Sequence, residues 1–89
     1  MEIQIEDHAI ERASERGVNE NEIFSTLKTG IELPAKNNRL FKEKVFIYEK
    51  EWNGKYFKEK KVKVIYVVEA ETIVVITVVV KFGMFSSIS

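Results

Sequence analysis

The sequence predicts an α+β fold, an N-terminal helical hairpin packed on a three- to four-stranded antiparallel β-meander. Three observations predict it. Residues 7–29 repeat apolar side chains at helical spacing and are punctuated by Gly17 and Gly30. From Arg39 onward the pattern is strand, with an Asn53-Gly54 hairpin signal between two long runs. The last run, Ile73 to Phe82, is almost wholly β-branched, as expected of a covered strand.

Met1 to Ile5 alternates apolar and polar residues and reads as extended. Glu6 or Asp7 can start the first helix, because acidic groups suit a first turn. Gly17 stops it, where a left-handed cap is commonly needed. On a helical wheel Ile5, Ala9, Ala13 and Ile10 form the apolar stripe, with His8 and Arg12 at its border. Arg16 falls in the last turn, where it can bond the last carbonyls and complement the helix dipole. Asn19 with Glu22 makes a capping-box pattern for a second helix, whose buried face is Ile23, Phe24 and Leu27.

Pro34 breaks the chain, and Ala35 to Asn38 reads as a loop. Strands are expected over Arg39–Trp52, Tyr56–Val68 and Ile73–Phe82, with a turn at Glu69–Thr72. Alternation puts Val74, Ile76, Val78, Val80 and Phe82 on one uniformly apolar face, the better candidate to meet the helices. Thr77 then belongs to the other face unless a bulge shifts the register. Residues 1–82 form the expected single domain. Residues 83–89 form a tail in which Met84, Phe85 and Ile88 can dock or remain disordered.

At 89 residues and 45% hydrophobic, the chain can build one modest core. It has no cysteine and one histidine, so neither a disulfide, nor a thiolate zinc site, nor a histidine cage is expected, and no cofactor motif is present. The start lacks a basic stretch followed by an apolar one, and the Val/Ile run is too short and interrupted to span a bilayer. A soluble cytoplasmic protein without membrane contact is the expectation. Net charge is zero, yet residues 1–30 carry three Lys/Arg against seven Asp/Glu, and the remainder is basic. That split permits a local anion site.

His8 is the main chemical candidate, since an imidazole can give and take protons near neutral pH. Arg12, one turn on, can hold a phosphate and stabilise charge developing in a transition state. Together they have the parts for metal-independent phosphodiester cleavage. The plainer alternative is that His8 packs at the helix start and Arg12 pairs with Glu11 or Glu15. Thr77 is the one hydroxyl inside the last strand and could orient a phosphate, although a β-branched residue needs no such reason there. Lys55, Lys58, Lys60, Lys61 and Lys63 can track a nucleic-acid backbone beside Trp52, Tyr56 and Phe57. The same lysines, interleaved with glutamates, can instead protect a solvated strand from edge pairing.

The run His8-Ala9-x-x-Arg12-x-x-x-Arg16-Gly17-Val18, the acidic helix start Asn19–Ile23 and the strand Ile73–Val78 resemble domain-of-unknown-function family 4258. That family looks like part of the larger group of metal-independent nucleases that includes barnase, the colicin tRNases and RelE-type toxins. The resemblance implies N-terminal helices on an antiparallel sheet, and RNA cleavage through the ribose 2′-hydroxyl. It makes His8 the proton-transfer residue, Arg12 the ligand of the scissile phosphate and Thr77 the group that orients it. Arg39 and Lys63 are candidates for added positive charge at the substrate.

The leading expectation is therefore a RelE-like endoribonuclease, the toxin of a toxin–antitoxin pair, with RNA and an antitoxin protein as partners. The other is a non-catalytic interaction module that uses the sheet edge or the tail around Met84 and Phe85. The oligomeric state stays open, with a homodimer allowed.

Overall fold

The computed structural model describes residues 1–85. Its elements are β1 (Glu2–Ile5), α1 (Asp7–Glu15), α2 (Glu20–Thr29), β2 (Ile31–Lys36), β3 (Arg39–Trp52), β4 (Lys55–Glu69) and β5 (Thr72–Gly83). The strands form one five-stranded sheet in the order β1-β5-β4-β3-β2. β1 runs parallel to β5, and the other neighbours are antiparallel. The chain is α+β in class and mostly sheet, with two short helices.

The expected architecture is corrected on three counts. First, Met1–Ile5 does not merely lead into the helix. Its strand adds to β5, with Ile3 beside Ile73 and Ile5 beside Val75, and makes the sheet mixed. Four residues of alternation show an extended segment but not its distant partner. Second, Pro34 does not end regular structure. It lies within β2, the outermost strand, where proline is tolerated, and the register slips between Leu33 and Lys36. The loop expected over Ala35–Asn38 shrinks to the turn Asn37-Asn38. Third, the helices are not a hairpin that packs as a unit. α1 docks on β5, α2 docks on β3 and β4, and an open groove lined by Ile10, Ser14 and Glu20 lies between them.

Local signals explain the ends of the elements. At Asn37-Asn38, Asn53-Gly54 and Ala70-Glu71 both central residues have positive φ, the geometry that matches the twist of two-residue hairpins. α2 carries its capping box: Asn19 Oδ1 accepts from the Glu22 N–H at 2.9 Å, and Glu22 Oε1 accepts from the Asn19 N–H at 3.0 Å. α1 ends in a Schellman turn, in which the Val18 N–H reaches the Ala13 carbonyl at 2.8 Å and Gly17 adopts φ +77°. Gly17 is needed twice over, because a Cβ there would also come within 2.8 Å of the Trp52 ring.

The core lies between the helices and one face of the sheet. Small Ala9 and Ala13 let α1 approach β5 closely, while Ile23 and Leu27 of α2 cover the neighbouring strands. From the sheet, Val62, Val64, Tyr66, Val75 and Val78 are buried. The β4–β5 register shifts between Ile65 and Tyr66: Tyr66 faces Val75, whereas Ile65 faces Thr77. The extra residue, Ile76, is a bulge that reverses alternation midway along β5. Ile73 and Val75 therefore share the helix side with Val78 and Val80. The expected face of Val74, Ile76, Val78, Val80 and Phe82 holds only in its second half.

Tyr66 yields a pH prediction. Burial raises its phenol pKa above the ordinary value, and the negative charge of Glu32 adds to the shift. The folded state thus holds the proton more tightly than the unfolded chain does. This contribution to stability is complete below the unfolded value of about 10 and is lost as pH rises through the folded one. Urea midpoints measured from pH 8 upward are expected to fall less steeply in alkali for Tyr66→Phe than for the native chain. Equal alkaline slopes would contradict this account.

Candidate functional site

The flank of α1 turned away from α2 overhangs the outer edge of β5, because α2 sits over β3 and β4 while α1 sits over β5. Ile10 and Ser14 occupy the inner flank, across the groove from Glu20 and Ile23. His8, Arg12 and Arg16, at successive four-residue steps, occupy the outer one. Arg16 anchors this arrangement: its Nη1 donates to the Val78 carbonyl of β5 at 2.6 Å. It bonds the strand rather than the last carbonyls of its own helix. Beyond Val75 that edge of β5 pairs with no strand among the described residues, since β1 covers only Thr72–Val75.

His8 is exposed and makes no hydrogen bond or ion pair among the described residues. Arg12 Nη1 donates to Glu15 Oε1 at 2.9 Å, with 41% of the Arg12 side-chain surface exposed. The plainer reading of Arg12 as half of a helix-surface pair is thus realised. An exposed pair of this kind is worth about 0–1 kcal/mol, so an arriving phosphate can displace it.

Thr77 does not meet these two side chains on one surface. It pairs with Ile65 and follows the bulge, so it sits on the helix-free face of the sheet, while adjacent Val78 is buried under the helices. Lys63 shares the helix-free face, opposite Val79 and one step along β4 from the Thr77 rung. Arg39 lies there too, because neighbouring Leu40 packs into the core on the other side. The five residues therefore fall into two groups, His8 with Arg12 and Thr77 with Lys63 and Arg39, separated by the thickness of the sheet.

The helix-free face has its own electrostatics. Lys61, Lys63 and Lys81 surround a small depression of about 100 Å³ with Glu43 and Val79. Glu43 accepts a loose ion pair from Lys61 at 3.8 Å, which leaves an excess of positive charge. Lys63 lies 5.0 Å from the centre of the Phe41 ring, an aromatic surface on the same face. Lys81 was missed as a candidate from sequence. The turn at Ala70-Glu71 alone would set it opposite Lys60; only the bulge at Ile76 brings it opposite Lys61. The lysine cluster of β4 is split by strand alternation, for Lys60 turns inward. Its Nζ donates to the Gly17 carbonyl at 2.6 Å and to Glu22 Oε1 at 2.9 Å.

Past β5, Phe85 folds back: its N–H donates to Glu59 Oε1 at 2.6 Å, and its ring lies 4.7 Å from Lys61 Nζ. Met84 is exposed, and Ile88 lies outside the described residues. Among the described residues no three His, Cys, Asp or Glu side chains come together to hold a metal ion, and no helix is long and apolar enough to cross a membrane.

The model of the family described as Domain of unknown function (DUF4258) matches residues 5–80. The chain belongs to this family. The matched stretch contains His8, Arg12, Arg39, Lys63 and Thr77, so both halves of the divided site fall within the DUF4258 unit. No curated protein and no solved structure matches the chain.

Proposed function

We propose that this DUF4258 protein is a metal-independent endoribonuclease of the RelE, barnase and colicin type. The observation that carries the reading is the placement of His8, without a bond among the described residues, one turn before Arg12 along the edge of β5, the strand that bears Thr77 and Lys81 on its helix-free face beside Lys61 and Lys63 of β4. Single-stranded RNA lies on the helix-free face, its phosphates against Lys63, Lys81 and Arg39 and a base against Phe41. Where the strand crosses the β5 edge, its phosphate comes under Arg12 and its ribose under His8. Thr77 acts on the RNA before that crossing and orients it from below; it has no contact with His8.

In the reaction His8 takes the proton of the ribose 2′-hydroxyl. The freed oxygen attacks phosphorus, and the bond from phosphorus to the 5′-oxygen breaks. Water protonates the departing 5′-oxygen, the hydroxide so formed takes the proton back from His8, and a 2′,3′-cyclic phosphate remains. Arg12 neutralises charge on the non-bridging oxygens. In this reading the protein is the toxin of a toxin–antitoxin pair, and its protein partner is the antitoxin.

The test is incubation of labelled single-stranded RNA with the protein in EDTA, beside DNA of the same sequence. RNA is expected to be cut to cyclic phosphate ends, with DNA intact because it lacks the 2′-hydroxyl. Lys63→Ala with Lys81→Ala is expected to weaken RNA binding and to flatten its dependence on salt. RNA that remains whole at high protein concentration would overturn the nuclease reading. The β5 edge from Ile76 onward, which pairs with no strand among the described residues and is bonded by Arg16 at the Val78 carbonyl, would then favour the second reading, a module that binds a partner strand by sheet extension.

A further inference from the structure

A groove of about 690 Å³ runs between α2 and the β1 side of the sheet. Its walls are largely apolar, and Met1, Ile3 and Phe24 in them are 77%, 38% and 38% exposed. Exposed apolar side chains gathered in one place on a small protein usually mark a contact surface. The ridge of α2 that runs from the inter-helix groove along this one tells what covers it. Glu20, Phe24 and Lys28 follow one another at four-residue steps, the spacing of the ridges by which helices interlock. All three are exposed, and neither Glu20 nor Lys28 makes an ion pair within its own chain among the described residues.

That ridge reads acidic, apolar, basic, and so it is complementary to itself when reversed. We propose that the protein forms a two-fold symmetric dimer through α2, with the two copies of the helix antiparallel and crossing at Phe24. Phe24 then packs on the partner's Phe24. Glu20 meets the partner's Lys28, and Lys28 meets the partner's Glu20, since both lie four residues from the axis. A parallel pairing would set like charges together at both ends. A two-fold axis needs just such a self-complementary patch. The exposed walls of the groove come under cover in the same contact, and a net charge of zero means that no overall repulsion opposes association. The ridge shares no residue with His8, Arg12 or the helix-free face, so this inference stands apart from the nuclease reading.

Sedimentation velocity over a concentration series tests it. The native chain is expected to dimerise, more tightly at low salt. Glu20→Lys alone and Lys28→Glu alone are each expected to weaken the dimer roughly tenfold, because both contacts across the axis turn repulsive. Mixing the two singly substituted chains is expected to restore association, since every reversed charge then faces an opposite one. Mere loss of folding cannot produce that recovery. Placing both reversals in one chain is expected to restore the homodimer as well, and Phe24→Asp is expected to leave monomers. A native chain that stays monomeric to about millimolar concentration, single reversals without effect, or a mixture that fails to associate would each overturn the proposal.

Discussion

His8→Ala is expected to lower RNA cleavage in EDTA by about 100-fold or more, the usual worth of a positioned proton-transfer group. RNA affinity is expected to change little, because His8 is remote from the lysines of the helix-free face that hold the strand. The fold should not suffer either. His8 is exposed on the first turn of α1 and forms no bond among the described residues. Exposed substitutions of that kind usually shift stability by less than about 0.5 kcal/mol. The informative measurement is therefore single-turnover cleavage beside equilibrium binding and thermal unfolding of the same preparation. Loss of all three would mean that His8 holds the helix start. Unchanged cleavage would remove it from the chemistry. Arg12→Ala should behave differently, lowering cleavage while freeing Glu15 at almost no cost in stability.

Lys60→Ala is expected to cost about 3 kcal/mol of folding stability, or roughly 15 °C in thermal midpoint. Lys60 is the point at which β4 holds the link between the helices. Its side chain is 6% exposed, and it donates both to the Gly17 carbonyl and to Glu22, whose own side chain is 18% exposed. Its Nζ also lies 5.3 Å from the Tyr48 ring centre. Removing the ammonium leaves the Gly17 carbonyl without this donor and the poorly solvated Glu22 carboxylate with the Asn19 N–H but no countercharge, and that penalty exceeds the net worth of the pair itself. The cause can be checked directly. Lys60→Met combined with Glu22→Gln leaves no unpaired charge and keeps an acceptor for the Asn19 N–H. The double variant is expected to recover at least half of the loss. A single variant that costs less than about 1 kcal/mol would show that the joint is incidental.

Much of the candidate site was legible at the level of single elements. His8 and Arg12 could be placed on one helix flank because helical spacing is a property of a few neighbouring residues. Thr77 could be assigned to the less covered face, with the bulge that would matter named but not located. Whether Thr77 and His8 meet was beyond reach, for it depends on which side of β5 the helices cover and where alternation reverses. The inward turn of Lys60 was available, because alternation groups it with Val62 and Val64 and apart from Lys61 and Lys63. What local pattern could not show is that Gly17 and Glu22 lie ready to receive its ammonium.

The sequence by itself determined the local punctuation: the capping box of Asn19 and Glu22, the left-handed stop at Gly17, the Asn53-Gly54 hairpin and the long strands on either side. Each is set by backbone geometry and by bonds that span a few residues. The tertiary structure alone decided that β1 pairs parallel to β5, that Pro34 sits in an edge strand, that Ile76 bulges, and that Thr77 is parted from His8 and Arg12. Those outcomes are set by contacts between segments far apart in the chain, where burial of Ile5 against β5 or of Val75 under α1 outweighs any local preference.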